Sequence, residues 1–434
     1  MKKMLRGMLS LALMCALTWE VAAQRSQGGQ PDTTRRGRFA EWSFGKFRFG
    51  GYGEILYQSM NYGPDRYKAP IGAPRDTRAS IGVPRSILAF DYKFREDLVL
   101  STEIEVEWGG TGAAMELEYE EAGEYEMEVE KGGEVALEQV HITKRFSDAF
   151  NIRAGHLIVP LGLTNAHHEP ITFFGTVRPE SETTILPSTW HETGLSVLGY
   201  LGHFRYELMV VSGLDPNGFS SANWVKGGKQ GIFEGSTMTS PAYTGRVEYY
   251  GVKGLRLSAS GYFCNTAKNA SKPDKMAGIK APVTIGSLDA QYLGRNLAVR
   301  ANIIYGNLGA SKRVSTINSG ISKATGFSRT PVAKNALAYG VEAGYNVLSL
   351  FGIKEKLLPF VRYEYYNSAQ AVEEGMAEMP INKRSVLTVG LNYFLAPNVA
   401  LKADYAMRRF LKGSYNGENT LGVALVYTGW FINK

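Results

Sequence analysis

Along most of the chain, apolar and polar residues take turns one by one in stretches of about ten, the period of a strand that shows a different environment to each face. In LVLSTEIEVEW, Leu100, Thr102, Ile104, Val106 and Trp108 share one face, and Ser101, Glu103, Glu105 and Glu107 share the other. In SILAFDYKF, Leu88, Phe90, Tyr92 and Phe94 oppose Ala89, Asp91 and Lys93. Later, Tyr339, Val341, Ala343 and Tyr345 oppose Gly340, Glu342, Gly344 and Asn346, and Val361, Tyr363 and Tyr365 oppose Arg362, Glu364 and Tyr366.

Strands of this kind fall near 47–59, 85–94, 98–108, 134–145, 149–158, 192–201, 203–213, 241–250, 254–264, 282–292, 297–306, 336–347, 357–366, 384–395, 399–409 and 420–430. Short turns and long loops strictly alternate between them. This predicts an all-β fold, a transmembrane antiparallel β-barrel of about 16 strands, with short turns at one end and long loops at the other. Each strand is near the ~9–11 residues that cross a bilayer at a tilt. Closure removes the unpaired edges that lipid cannot solvate. The charged face then lines a lumen, and a barrel of this size leaves room for water. The 24 Tyr, 20 Phe and 49 Gly suit strands whose outer face meets something apolar. A secreted sandwich is the soluble rival, but Tyr and Phe concentrate at strand ends, where membrane interfaces favour aromatics. No fixed-period repeat suggests a propeller or solenoid.

The first residues read as an export signal. Lys2, Lys3 and Arg6 precede an apolar run from about Met8 to Trp19 and small residues ending at Ala23, a signal peptide over 1–23 with cleavage expected before Gln24. The run is shorter than the ~20 residues of a spanning helix. Met14 before Cys15 lacks the small side chain of a lipoprotein site. Residues 24–44 read as a flexible basic segment, and 45–434 as the barrel domain of the Gram-negative cell outer membrane. The leader takes three basic residues and Glu20 with it, so the net charge of +7 falls to about +5. That excess is too small and too scattered for a nucleic-acid surface. Cys264 alone remains after cleavage, which rules out an intramolecular disulfide and thiolate metal clusters.

The stretch from about 159 to 191 is the third long loop and the most unusual segment. Loops this long are functional or disordered. Phe173, Phe174, Ile185, Leu186 and Trp190 need burial, and prolines 160, 170, 179 and 187 stiffen the path. The lumen is the one place roomy enough to bury such a loop. Folded inward, it presents Asn165, His168, Glu169, Arg178, Glu180 and Glu182 at a pore constriction.

Within RAGHLIVPLGLTNAHHEPITFFGTVRPESETTILPSTWHETG, the order Pro160, Gly162, Asn165, His168-Glu169-Pro170, Phe173-Phe174-Gly175, Arg178-Pro179, Glu182, Pro187, Trp190, Glu192 and Gly194 resembles the signature of the phosphate-selective porin O and P family. GYGE at 51–54 and NYF with LKADYA near 392–406 extend the similarity over most of 45–431. The resemblance implies a 16-stranded barrel, commonly a homotrimer, with an inward third loop and passive diffusion of small solutes.

Strand parity places Arg85, Lys93, Arg153, Arg205, Arg246, Arg256, Arg300, Arg362, Lys402 and Arg408 on the lumen face. A guanidinium fork meets two oxygens of an oxyanion at once, and a column of such groups could pass an anion between weak sites. The same face carries Glu103, Glu105, Glu107, Glu342, Glu364 and Asp404, besides Asp91, Glu207, Glu248 and Asp289, so neighbouring charges can neutralise one another. MELEYEEAGEYEMEVEKGGE, within 115–134, reads as a Glu-rich hairpin, either solvated or bridging cations and lipopolysaccharide.

No catalytic residues, cofactor or metal site are expected. His167, His168 and Glu169 with His191 and Glu192 can be drawn as a zinc site, but adjacent residues seldom converge on one ion, and neither an HExxH helix nor a GxSxG elbow is present. The leading reading is an outer-membrane porin for passive diffusion of small hydrophilic solutes with a mild anion preference. An oxyanion (phosphate)-selective porin is the alternative, and a surface adhesion or structural barrel with a plugged pore is the second.

Overall fold

β-branched and aromatic residues on one face, and charged residues on the other, favour extended chain that pairs side by side. In the computed structural model, which describes residues 42–63, 69–110, 115–119, 125–129, 133–230, 235–321 and 330–434, eighteen strands form. They are β1 (Phe47–Met60), β2 (Arg78–Arg95), β3 (Leu98–Glu107), β4 (Met115–Tyr119), β5 (Tyr125–Val129), β6 (Glu134–Arg145), β7 (Asn151–Ile158), β8 (His191–Leu201) and β9 (Phe204–Val211). The second half supplies β10 (Ala242–Tyr249), β11 (Leu255–Asn265), β12 (Pro282–Gly294), β13 (Leu297–Leu308), β14 (Asn335–Tyr345), β15 (Lys356–Ala371), β16 (Lys383–Ala396), β17 (Val399–Phe410) and β18 (Glu418–Asn433).

All but β4 and β5 belong to one closed antiparallel barrel of 16 strands, in which each strand pairs with its neighbours in the chain, β3 pairs with β6, and β1 meets β18. The closing pair runs from Arg48 opposite Asn433 to Met60 opposite Thr420. β4 and β5 form a separate hairpin in the register Met115 to Val129, Leu117 to Met127 and Tyr119 to Tyr125.

The two faces differ as the alternation predicts. Leu288 is 60% exposed on the outside, whereas its neighbour Asp289 is 5% exposed on the inside. Phe94, Phe146, Phe150, Phe204, Phe351 and Phe431 ring the outside at the short-turn end. Trp108, Tyr243, Tyr305, Tyr339 and Tyr405 ring it nearer the long loops. Two aromatic girdles with an aliphatic band between them are the outer surface of a membrane barrel. Among the described residues no helix is long and apolar enough to cross a membrane, which says nothing of strands.

Several details depart from the sequence reading. β2 starts at Arg78, and its first residues extend the sheet past the girdle. β18 runs on to Asn433 along β1, and β15 runs on to Ala371, which pairs with Asn335 of β14 across a register shift. The strict alternation of short and long connections fades late in the chain, where the 346–355 connection, with its 3-10 turn Val347–Phe351, is nearly as long as that at 372–382. The leader 1–23 and residues 24–41 lie outside the described residues. Residues 42–44, assigned to the flexible segment, are instead packed. Trp42 and Phe44 are buried, the Arg145 guanidinium lies 4.5 Å from the Trp42 ring, and Lys93 Nζ donates to the Phe44 carbonyl at 2.7 Å.

Leu288 stands midway along β12, so Leu288→Arg should cost about 2–4 kcal/mol in a reversible refolding titration into lipid vesicles. A cost near zero would put that face in water.

Candidate functional site

The chain from 159 to 190 joins β7 to β8, and its two ends are tied where Val159 N–H donates to the Trp190 carbonyl at 2.8 Å. Pro179 opens a short helix, α1 (Glu180–Ile185). Glu182 on that helix is the hub of the loop. Its carboxylate accepts the backbone N–H groups of Leu163, Thr164 and Asn165 at 3.1, 2.9 and 2.6 Å, and the amide of Asn302 on β13 at 2.9 Å. Burial pushes the Glu182 carboxyl up to about 7, while the backbone donors pull it the other way. Asn165 links the loop's ends, donating to the Val159 carbonyl at 2.8 Å and accepting from Trp190 N–H at 2.5 Å. Beneath this knot Leu161, Ile185, Leu186 and Trp190 join Phe219, Trp224 and Val225 of the 212–241 loop in one buried apolar cluster.

Other parts of the loop are fastened to inward-facing wall residues. Lys402 of β17 donates to three loop carbonyls, those of Pro170, Phe173 and Gly175, at 2.5, 2.5 and 3.0 Å. Phe174 stacks on Phe360 with ring centroids 5.2 Å apart and lies over Gly344, where an added Cβ would come within 2.6 Å of the ring. Thr176 N–H donates to Asp404, Ser181 N–H to Glu364, and Glu180 meets Arg408 and Tyr366. On other sides Arg246 donates to the Gly162 carbonyl at 2.8 Å, and Arg85 to the His168 carbonyl at 3.2 Å. Ile171 and Val177 pack on Leu56, Ala400, Ala424 and Val426.

These contacts sort the six constriction candidates. Glu169, Arg178 and Glu180 stay half-buried. Asn165, His168 and Glu182 are buried. The reason is local: each satisfies polar groups inside the loop or on the wall behind it. The drawn zinc set does not converge. His167 meets Arg256 at 2.5 Å, His168 meets Glu138 at 2.9 Å, and His191 contacts His156 and accepts from Lys229 at 2.7 Å. Burial and the neighbouring Arg256 hold His167 well below the usual imidazole range.

The wall charges are largely paired. Arg85 meets Glu54 at 3.1 Å, Lys93 meets Glu96 at 3.1 Å, Arg153 meets Glu207 at 3.5 Å, and Arg205 bridges Glu207 and Glu248 at 3.0 and 3.1 Å. Arg246 holds Glu248 and Asp289 at 2.9 and 2.8 Å, with Arg256 3.9 Å from Glu248. Arg300 meets Glu342 at 2.8 Å, and Arg362 meets Glu364 at 3.1 Å. Glu103 accepts from Gln139 at 2.8 Å, while Glu105 and Glu107 have no ion pair among the described residues.

Arg178 stands apart. It makes no hydrogen bond or ion pair among the described residues, and its Nη2 is shielded and without a partner. Burial, reinforced by the Arg85 charge, pushes its pKa down. It borders a small opening also lined by Glu180, Arg362, Glu364, Asp404 and Arg408. Sequence reasoning missed Glu54, Glu138, Lys226 and Lys229. Glu54 lies on an alternating strand and was accessible to the parity rule. Lys226 and Lys229 come from a loop without periodicity, and donate to the carbonyls of Thr183 and Thr189.

No family model matches the chain. It is 29% identical over 360 residues to an uncharacterized protein of Aquifex aeolicus (strain VF5), spanning 82% of this chain and 74% of that one. Among solved structures it is similar to the anion-selective porin from Comamonas acidovorans, with a TM-score of 0.52 and 12% identity over 88% of this chain and 99% of the other. It is also similar to the outer membrane channel DcaP of Acinetobacter baumannii, with a TM-score of 0.51 and 12% identity over 88% and 97%. At such identity the likeness is one of fold, and the fold is that of the outer-membrane porins.

Glu182→Ala would leave three loop amides without their acceptor. Amide exchange over 162–166 should accelerate on the order of 30-fold, from a loss of about 2 kcal/mol. Protection equal to wild type would remove Glu182 as the hub.

Proposed function

We propose that the chain is an outer-membrane channel for passive diffusion of small hydrophilic solutes, with a mild preference for anions, narrowed by the 159–191 loop. The single observation that supports this best is Arg178, which makes no ion pair beside an opening where Arg362 is held by Glu364 and Arg408 by Glu180. A pore whose wall charges are largely paired discriminates weakly, and a guanidinium free of an ion pair at its narrowing offers passing anions a contact. The Comamonas acidovorans porin of similar fold is called anion-selective, which agrees with that direction.

The signal peptide 1–23, the 24–44 segment, insertion in the Gram-negative outer membrane with long loops outward, contact with lipopolysaccharide and a homotrimeric assembly belong to the same proposal. An oxyanion-selective porin of the phosphate-selective O and P family is the second reading. Its support is the loop order from Asn165 to Gly194 and the fork geometry of Arg178, which suits a tetrahedral oxyanion. The plugged-barrel reading draws on the loop's contacts with β1, β2, β10, β13–β15, β17 and β18.

In a planar bilayer under a KCl gradient, the wild-type zero-current potential should lean toward chloride, and Arg178→Glu should lower the chloride-to-potassium permeability ratio by roughly threefold or more. An unchanged potential would take Arg178 out of the conducting path. Saturation and block of the current by phosphate would select the oxyanion reading.

A further inference from the structure

A second constellation lies away from Arg178, where the loop meets the wall at β3 and β6. Three potential ligand atoms, one each from Glu103, Glu138 and His168, lie within 4.8 Å of one another. They come from a strand, a neighbouring strand and the loop. A register shift between Glu103 and Ile104 alters the local alternation of β6 opposite them, and Glu138 is the residue left out of the ladder. A bulge of this kind re-aims a side chain, and here Glu138 is fully buried on the inside.

The surrounding groups orient the donors. His168 Nδ1 lies 3.1 Å from the Asn165 carbonyl, which can only accept, so Nδ1 carries a hydrogen and Nε2 faces the carboxylates. Gln139 donates to Glu103 Oε2 at 2.8 Å, leaving the other oxygen free of that bond. Tyr52 donates to Glu138 Oε2 at 2.9 Å. Glu138 Oε1 is 2.9 Å from His168 Nε2, yet it has no hydrogen-bond partner. A ligand oxygen placed beside a ring nitrogen, off its hydrogen-bonding direction, is where two adjacent donors to one ion stand.

Charge points the same way. Two carboxylates here share one imidazole. Arg178 and Arg85 act on Glu138 through space, but Arg85 is engaged by Glu54 and neither guanidinium donates a hydrogen bond to Glu103 or Glu138. A proton on His168 balances one carboxylate, and a divalent cation balances both. One imidazole nitrogen with two carboxylate oxygens is a donor set for zinc and other divalent first-row metals.

We propose that Glu103, Glu138 and His168 form a divalent transition-metal site that clips the inward loop to the β3–β6 wall. Tyr52, 2.7 Å from Nε2, moves aside or joins the donors. The site is independent of whether the lumen conducts.

The test uses the full chain folded in detergent, stripped with chelator and titrated calorimetrically with zinc chloride. One equivalent should bind per chain. Glu138→Gln and Glu103→Gln should each weaken binding at least tenfold, and Glu96→Gln, at an exposed carboxylate outside the cluster, should leave it unchanged. Equal zinc uptake by wild type and the Glu103→Gln/Glu138→Gln double variant would overturn the site and leave a histidine–carboxylate ion pair in its place. If the variants do not fold, Co²⁺ added to wild type decides. A visible spectrum of nitrogen- and oxygen-bound cobalt supports the site, and the spectrum of aqueous cobalt alone refutes it.

Discussion

Inside a bilayer no water is at hand for an unpaired N–H or carbonyl, so a sheet there must close on itself. The pairing of β1 with β18 is where this chain meets that demand. Without that pairing both strands would carry bare edges into lipid. Closure fixes the rest. It creates an inside, makes every second side chain an inside side chain, and so obliges the chain to supply charged residues in matched sets. Arg246 between Glu248 and Asp289, and Arg205 between Glu207 and Glu248, are such sets.

The lumen that results is larger than its own side chains can fill, and the 159–190 loop occupies part of it. The loop is held by two kinds of force. On one side Trp190, Ile185 and Leu186 bury apolar surface against Phe219 and Trp224. On the other, its backbone polar groups are matched one by one. Three carbonyls go to Lys402, three amides to Glu182, and single amides to Asp404 and Glu364. An irregular segment away from water must satisfy its backbone in this way. Wall charges therefore serve two ends, since Lys402, Asp404, Glu364 and Arg408 anchor the loop while several of them border the opening beside Arg178.

Much of this was legible in the sequence, and the part that was not has a physical cause. Alternation located all 16 barrel strands, because a period of two is imposed wherever lipid lies on one side and water on the other. The same parity put Asp289, Glu342 and Arg362 inside, where they are buried. Inside the loop no such rule operates. Asn165, His168 and Glu182 are polar by type, and where each is held depends on which backbone groups need a partner. Glu138 escaped because a bulge breaks the parity at that point. The hairpin partners Leu117 and Met127 were readable because both arms alternate apolar residues with Glu.

The most direct measurement is single-channel current through the purified protein in a planar bilayer as salt concentration is raised. A water-filled lumen with balanced walls gives discrete open steps whose conductance grows in proportion to salt. Persistent silence from protein that is folded and inserted would mean that the loop seals the barrel, and it would contradict the channel reading outright.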